Sequence, residues 1–200
     1  MTSSSLTPSR PLVRPLGVVV LAAALVAGAT ACSSDGDVAR GVAHGATHAD
    51  ARLAEGFVPE GTTVFDDDLP AVSGLDPDLQ AALRAASTAA ASEGITLRIN
   101  SGWRSAQMQE GPLRDAVDRY GSEQEAARWV ATAETSPHVS GDAVDIGPWG
   151  AAEWLSENGA GVGLCQIYIN EAWHFELRPT AVDEGCPRMY LDPTQDPRMG

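Results

Sequence analysis

The chain has 200 residues, 44% of them hydrophobic, with three cysteines and a formal net charge of −14. Its length and apolar content suit one compact domain with processed or flexible ends. An acidic surface repels phosphate backbones, so no nucleic-acid partner is expected; solubility is the simplest reading of the charge.

In chain order, Arg10 and Arg14 precede an apolar run from Leu16 to Ala29. At about fourteen residues that run is short for a bilayer span, and residues 1–31 read as an export signal. Ala29-Thr30-Ala31-Cys32 resembles a bacterial lipobox, which makes Cys32 the expected lipidation site and the outer face of the cytoplasmic membrane the expected location. Ala29 stands where leucine is usual, so cleavage after Ala31 and full secretion is the alternative, and a single anchor helix the third. Residues 32–74 are rich in Ala, Gly, Ser and Asp and read as a flexible tether. His44 and His48 lie there at a helical spacing, but Gly41 and Gly45 beside them favour a linker over a metal site.

The folded domain is expected over 75–186. Asp76-Pro77 is a helix start, followed by Leu79, Ala82, Leu83 and Ala86 at helical spacing up to Gly94. Ile95–Ile99 alternates as a strand and leads into Ser101-Gly102-Trp103-Arg104-Ser105. Helices are expected over about 105–119 and 122–133, a strand over Asp142–Ile146, a helix over Ala151–Glu157, and strands over Gln166–Ile169 and Trp173–Leu177. Helices mixed with few strands, without βαβ alternation, indicate an α+β fold. The tail over 187–200, with Pro187, Pro193 and Pro197, is expected to be irregular. With Cys32 lipidated, Cys165 and Cys186 remain as an even pair in an oxidising space and are expected to form a disulfide. Closing a loop of about 20 residues stabilises by roughly 3 kcal/mol in the chain-entropy model; two buried free thiols are the alternative.

The chemistry concentrates in two stretches, Ser136 to Asp145 and Glu171 to His174. His138, Asp145 and His174 are ligands of the kind zinc takes, and three ligands with an open position is the catalytic pattern. Strand alternation supports the set. Val144 and Ile146 face one side and Asp145 the other; Phe175 faces one side and His174 and Glu176 the other. Two strands can thus bury their apolar faces and show one ligand each to a common cleft. Glu171 has the opposite parity to His174 and must sit where the chain bends into the strand, in reach of a water.

Ser-Gly-Trp-Arg-Ser at 101–105, Ser-x-His-x2-Gly-x-Ala-x-Asp at 136–145 and Glu-x-Trp-His-Phe at 171–175 resemble, in order, the signature blocks of D-alanyl-D-alanine carboxypeptidases and D,D-dipeptidases of the vancomycin-resistance type. The resemblance spans about residues 75–178. It implies a small antiparallel sheet with flanking helices, related to the hedgehog signalling domain, and a Zn2+ cofactor on His138, Asp145 and His174. It further implies Glu171 as catalytic base, Arg104 as the residue that meets the substrate carbonyl or carboxylate, and Gln109 and Ser136 as pocket-lining residues. The expected partner is the peptidoglycan stem peptide. Ala172 replaces the usual proline, and the Arg-Tyr-Pro segment of the carboxypeptidase branch is missing between Gly159 and Asn170. Alternatives are a peptidoglycan endopeptidase and a non-catalytic binding module on the same fold.

Overall fold

The computed structural model describes residues 47–199; the expected export signal, Cys32 and His44 lie outside them. The tether reading fails over 47–74. The Thr47 hydroxyl accepts from the Asp50 N–H while the Asp50 carboxylate accepts from the Thr47 N–H, a reciprocal cap that starts α1 (His48–Ala54). Pro70 opens the short α2 (Pro70–Ser73), and Val64 and Val72 are buried in the main core. The Ile99 N–H donates to the Thr62 carbonyl at 2.8 Å, the Trp103 N–H to Ala71 at 2.9 Å and the Ser105 N–H to Glu55 at 2.9 Å. The folded domain therefore takes in residues 47–74 ahead of Leu75. Small residues there do not signal looseness: they let backbone approach backbone, and a Cβ on Gly102 would collide with the Ala71 carbonyl.

Asp76 caps α3 (Pro77–Ser92), its carboxylate accepting from the N–H groups of Asp78 and Leu79 at 2.9 and 3.1 Å. Leu79, Ala82, Leu83, Ala86 and Ala90 form the buried stripe of that helix, each fully buried leucine being worth about 1.5–3 kcal/mol. The Ile95 N–H turns back to the Ala90 carbonyl at 2.9 Å, so β1 (Arg98–Ser101) starts later than alternation suggested. Ser105 caps α4 (Ala106–Tyr120), which ends at Gly121 with φ +83°. The helix expected over 122–133 shrinks to α5 (Glu123–Ala126), because Ala126 is its only buried side chain. Then come α6 (Pro137–Ser140), β2 (Ala143–Gly147), α7 (Trp149–Asn158), a 3-10 turn (Gly159–Val162), β3 (Leu164–Gln166), β4 (His174–Leu177), α8 (Ala181–Glu184) and a 3-10 turn (Pro193–Gln195).

The strands form one antiparallel sheet in the order β1-β2-β4-β3, giving the expected α+β fold. One face carries Ile99, Val144, Ile146 and Phe175 into a core shared with Leu79, Leu83 and Leu155. β3 stops at Gln166, earlier than expected, because the chain beyond it bonds to the tail: Tyr190 N–H to Ile167 at 3.0 Å and Ile169 N–H to Tyr190 at 2.9 Å. Cys165 and Cys186 are joined by a disulfide. The tail is irregular in form yet built into the fold, with Asp192 and Asp196 buried. Among the described residues no helix is long and apolar enough to cross a membrane.

A chain starting at residue 75 loses Val64 and Val72 from the core and several backbone partners of β1. It is expected to lose cooperative urea unfolding that a chain starting at residue 47 retains; equal midpoints for the two would restore the tether reading.

Candidate active site

The sheet's second face holds the polar residues. In the antiparallel pairing of β2 with β4, Asp145 stands directly opposite His174. His138 arrives from α6, a single turn opened by Pro137 and ended by Gly141 at φ +85°. A Cβ at Gly141 would collide with the Gly74 carbonyl, so the turn that aims His138 requires glycine twice over. His138 Nε2 lies 3.4 Å from Asp145 Oδ1, and His174 Nδ1 lies 3.4 Å from the same oxygen. The three ligand atoms fall within 4.8 Å of one another.

Each imidazole has its other nitrogen taken. His138 Nδ1 bonds the Gly102 carbonyl at 3.0 Å, which makes Nδ1 the donor and leaves Nε2 a free lone pair. His174 Nε2 bonds Glu176 Oε1 at 3.2 Å, leaving Nδ1 facing the cleft. Asp145 Oδ1 and His174 Nδ1 are buried and make no hydrogen bond. Two lone pairs facing each other at this distance repel unless a cation or proton lies between them. The convergent nitrogen and oxygen donors therefore fit a cation, and suit zinc.

The same crowding sets the charges. Burial works to raise the Asp145 carboxyl, but His138 and His174 outweigh it and hold Asp145 well below the usual carboxylate range. Burial lowers His138. At His174 burial also acts downward, but the nearby carboxylates of Asp145 and Glu176 prevail and push it up to about 9. Glu171 sits just before the turn that leads into β4, as its parity required, with Oε2 3.9 Å from His174 Nδ1 and Oε1 buried without a partner. Burial is the main reason its carboxyl is pushed up to about 7.

These groups open into a cavity of about 480 Å³ that is also lined by Arg104, Gln109 and Ser136, so the expected metal-ligand, catalytic and pocket residues meet in one cleft. Arg104 follows Gly102 and Trp103 out of β1, and its guanidinium stands 3.8 Å from Asp145 Oδ2. Burial lowers its pKa, with Asp145 and then Glu171 opposing. Gln109 donates from Nε2 to the Ala131 carbonyl at 2.8 Å and keeps a buried, unpartnered Oε1. Trp129, stacked on Tyr120 with centroids 5.5 Å apart, forms the far wall. Sequence reasoning missed Glu176 and Tyr168. Alternation already placed Glu176 on the His174 face, but a strand glutamate has no motif of its own.

A model of the VanY family, D-alanyl-D-alanine carboxypeptidase, matches residues 73–179. The chain belongs to that family. It is a peptidase, and the match takes in the seven residues expected in the metal and substrate cleft. Among solved structures, VanYB in complex with D-alanine-D-alanine is 26% identical, with 56% of this chain and 74% of that chain covered at a TM-score of 0.50. A zinc(II) complex of a mutant vancomycin-resistance D,D-pentapeptidase VanY from a VanB-type cassette is 26% identical, over 52% of this chain and 72% of that one, at a TM-score of 0.48. The LD-carboxypeptidase LdcB is 23% identical, over 64% and 71%, at 0.50, and shares the fold. No curated protein sequence matches the chain.

In the metal-free protein Glu171 keeps a proton that the unfolded chain, at the ordinary value of 4.5, has released. A raised carboxyl contributes stability below about pH 4.5 and loses it as pH rises through about 7. Glu171→Gln has no such proton to lose. The metal-free variant should therefore gain on wild type between pH 5 and pH 8, by up to about 3 kcal/mol. Chemical denaturation at both pH values checks this, and a gap that does not change with pH would contradict it.

Proposed function

We propose that the protein is an exported, zinc-dependent D,D-carboxypeptidase that removes the terminal D-alanine from peptidoglycan stem peptides. The observation that carries this reading is the buried Glu171 beside the His138–Asp145–His174 group, in a cavity that Arg104 also lines. A family neighbour binds D-alanine-D-alanine, which supports the substrate class.

His138 Nε2, Asp145 Oδ1 and His174 Nδ1 would hold the zinc. When bound, the ion acidifies water and polarises a carbonyl. Glu171 Oε1, free of other partners, takes the proton of the attacking water and returns it to the leaving amine. A carboxyl with proton affinity near neutrality suits both transfers. Arg104 puts a fixed positive charge where the tetrahedral oxygen or the terminal carboxylate sits. Gln109 Oε1 is free to accept from a substrate N–H, and Ser136 lines the same pocket.

Export fits the disulfide, since such bonds persist outside the cytosol. With lipid on Cys32 the enzyme would stand at the outer face of the cytoplasmic membrane; cleavage after Ala31 would release it. Fatty-acid labelling of wild type and of Cys32→Ser separates the two.

Incubation with pentapeptide muropeptides should release D-alanine, detected by mass spectrometry, and a chelator should stop the release. Glu171→Gln should lower turnover by ~10²-fold or more while keeping metal. Arg104→Ala should also keep metal and lose transition-state stabilisation of roughly 3–4 kcal/mol. A wild type that cleaves no muropeptide, and binds wall fragments no better than Glu171→Gln does, would favour a binding module instead.

A further inference from the structure

The chain after the disulfide returns to the metal ligands from behind. Anchored at Cys186 to Cys165 of β3, it pairs through Tyr190 and brings Arg198 over Glu176. Arg198 Nη1 donates to Glu176 Oε2 at 2.6 Å, and Nη2 to Oε1 at 3.3 Å. Oε1 is the oxygen that bonds His174 Nε2 at 3.2 Å. Arg178 also reaches Glu176, but only at Oε2, at 2.7 Å. Arg198 is itself held: its backbone N–H and its guanidinium Nε donate to Asp196 Oδ1 at 3.0 and 2.9 Å. Asp196 in turn accepts from the Tyr168 hydroxyl at 3.0 Å, and the Tyr168 ring lies 5.1 Å from that of His174.

Glu176 is 1% exposed. A carboxylate so buried is costly unless paired, and a surface fastening of the tail does not require one. Its placement makes sense if its task is at His174. We propose that Glu176 and Arg198 are positioning residues for the metal ligand His174, with the C-terminal tail supplying the arginine. Glu176 holds the imidazole with Nε2–H outward and Nδ1 aimed into the cleft, and Arg198, the residue that grips both oxygens, fixes the carboxylate that does so. Arg198 lies beyond the residues matched by the family model, which end at 179. The inference rests on the zinc reading above.

The test measures the zinc dissociation constant of the purified chain by competition with a chromophoric chelator. Partners of this kind behind a metal-bound histidine change affinity by about 10–100-fold. Arg198→Ala should weaken zinc about tenfold, and Glu176→Gln by a similar or larger factor. The double variant should be no weaker than the worse single, since both act through one imidazole. Arg198→Lys should recover part of the loss. Arg128→Ala cuts the tail's other ion pair, to Asp192 at 3.0 Å, and should leave the constant within about twofold of wild type if only the link to His174 matters. Should Arg198→Ala fail to fold, Glu176→Gln and Arg198→Lys decide, and both must weaken zinc. Unchanged zinc affinity with a lowered melting temperature would overturn the proposal and leave Arg198 a fastener of the tail. A wild type that retains no zinc is a separate outcome, which removes the zinc reading itself and this inference with it.

Discussion

Asp145 and His174 face each other across the antiparallel pair of β2 and β4, and the site depends on that register. Because side chains alternate along a strand, a slip of either strand by one residue would turn its ligand into the core and bring Val144 or Phe175 into the cleft. The apolar face prevents the slip. Val144, Ile146 and Phe175 are buried against α3 and α7, so the hydrophobic core and the metal site are opposite faces of one constraint. His138 and Arg104 are then added from flanking turns, and the contacts of Gly102 and Gly141 with the N-terminal segment set their positions.

Three carboxylates lie around this face, the half-buried Asp145 and the buried Glu171 and Glu176, and each meets a different environment. Glu176 is held well below the usual range: burial opposes ionisation, but His174 and Arg198 prevail, with Arg178 adding to them. Asp145 is ionised by the two histidines. Glu171 has no comparable partner and stays near neutrality in its proton affinity. Environments that push similar groups apart in this way separate ligand, base and support. The disulfide contributes indirectly, since it fixes the start of the tail whose Arg198 answers Glu176 and whose Pro193 and Met199 line the cavity.

Much of this was readable from residue order alone. Alternation in 142–146 and 173–177 put Asp145 and His174 on one side and the core residues on the other, and the cap at Asp76-Pro77 marked the main helix. What escaped were features that depend on long-range contact. Residues 47–74 resemble a linker because their buried side chains are few and small, and their ordering comes from backbone bonds to Ile99, Trp103 and Ser105. The tail escaped for the same reason: proline-rich irregular chain has no periodicity, and the role of Arg198 is visible only once Glu176 is known to be buried. Helix α5 is shorter than expected because Ala126 alone among its residues is buried, and helical spacing by itself does not show which side chains will find a core.

The central claim is that His138, Asp145 and His174 bind one catalytic zinc. Crystals of the purified protein measured on both sides of the zinc absorption edge would test it directly. The account predicts a single anomalous peak in the cleft, about 2.0–2.2 Å from His138 Nε2, Asp145 Oδ1 and His174 Nδ1, with Glu171 beside it and not bonded to it. A peak that uses Glu171 as a closing fourth ligand, or no peak at this site in zinc-saturated crystals, would contradict it.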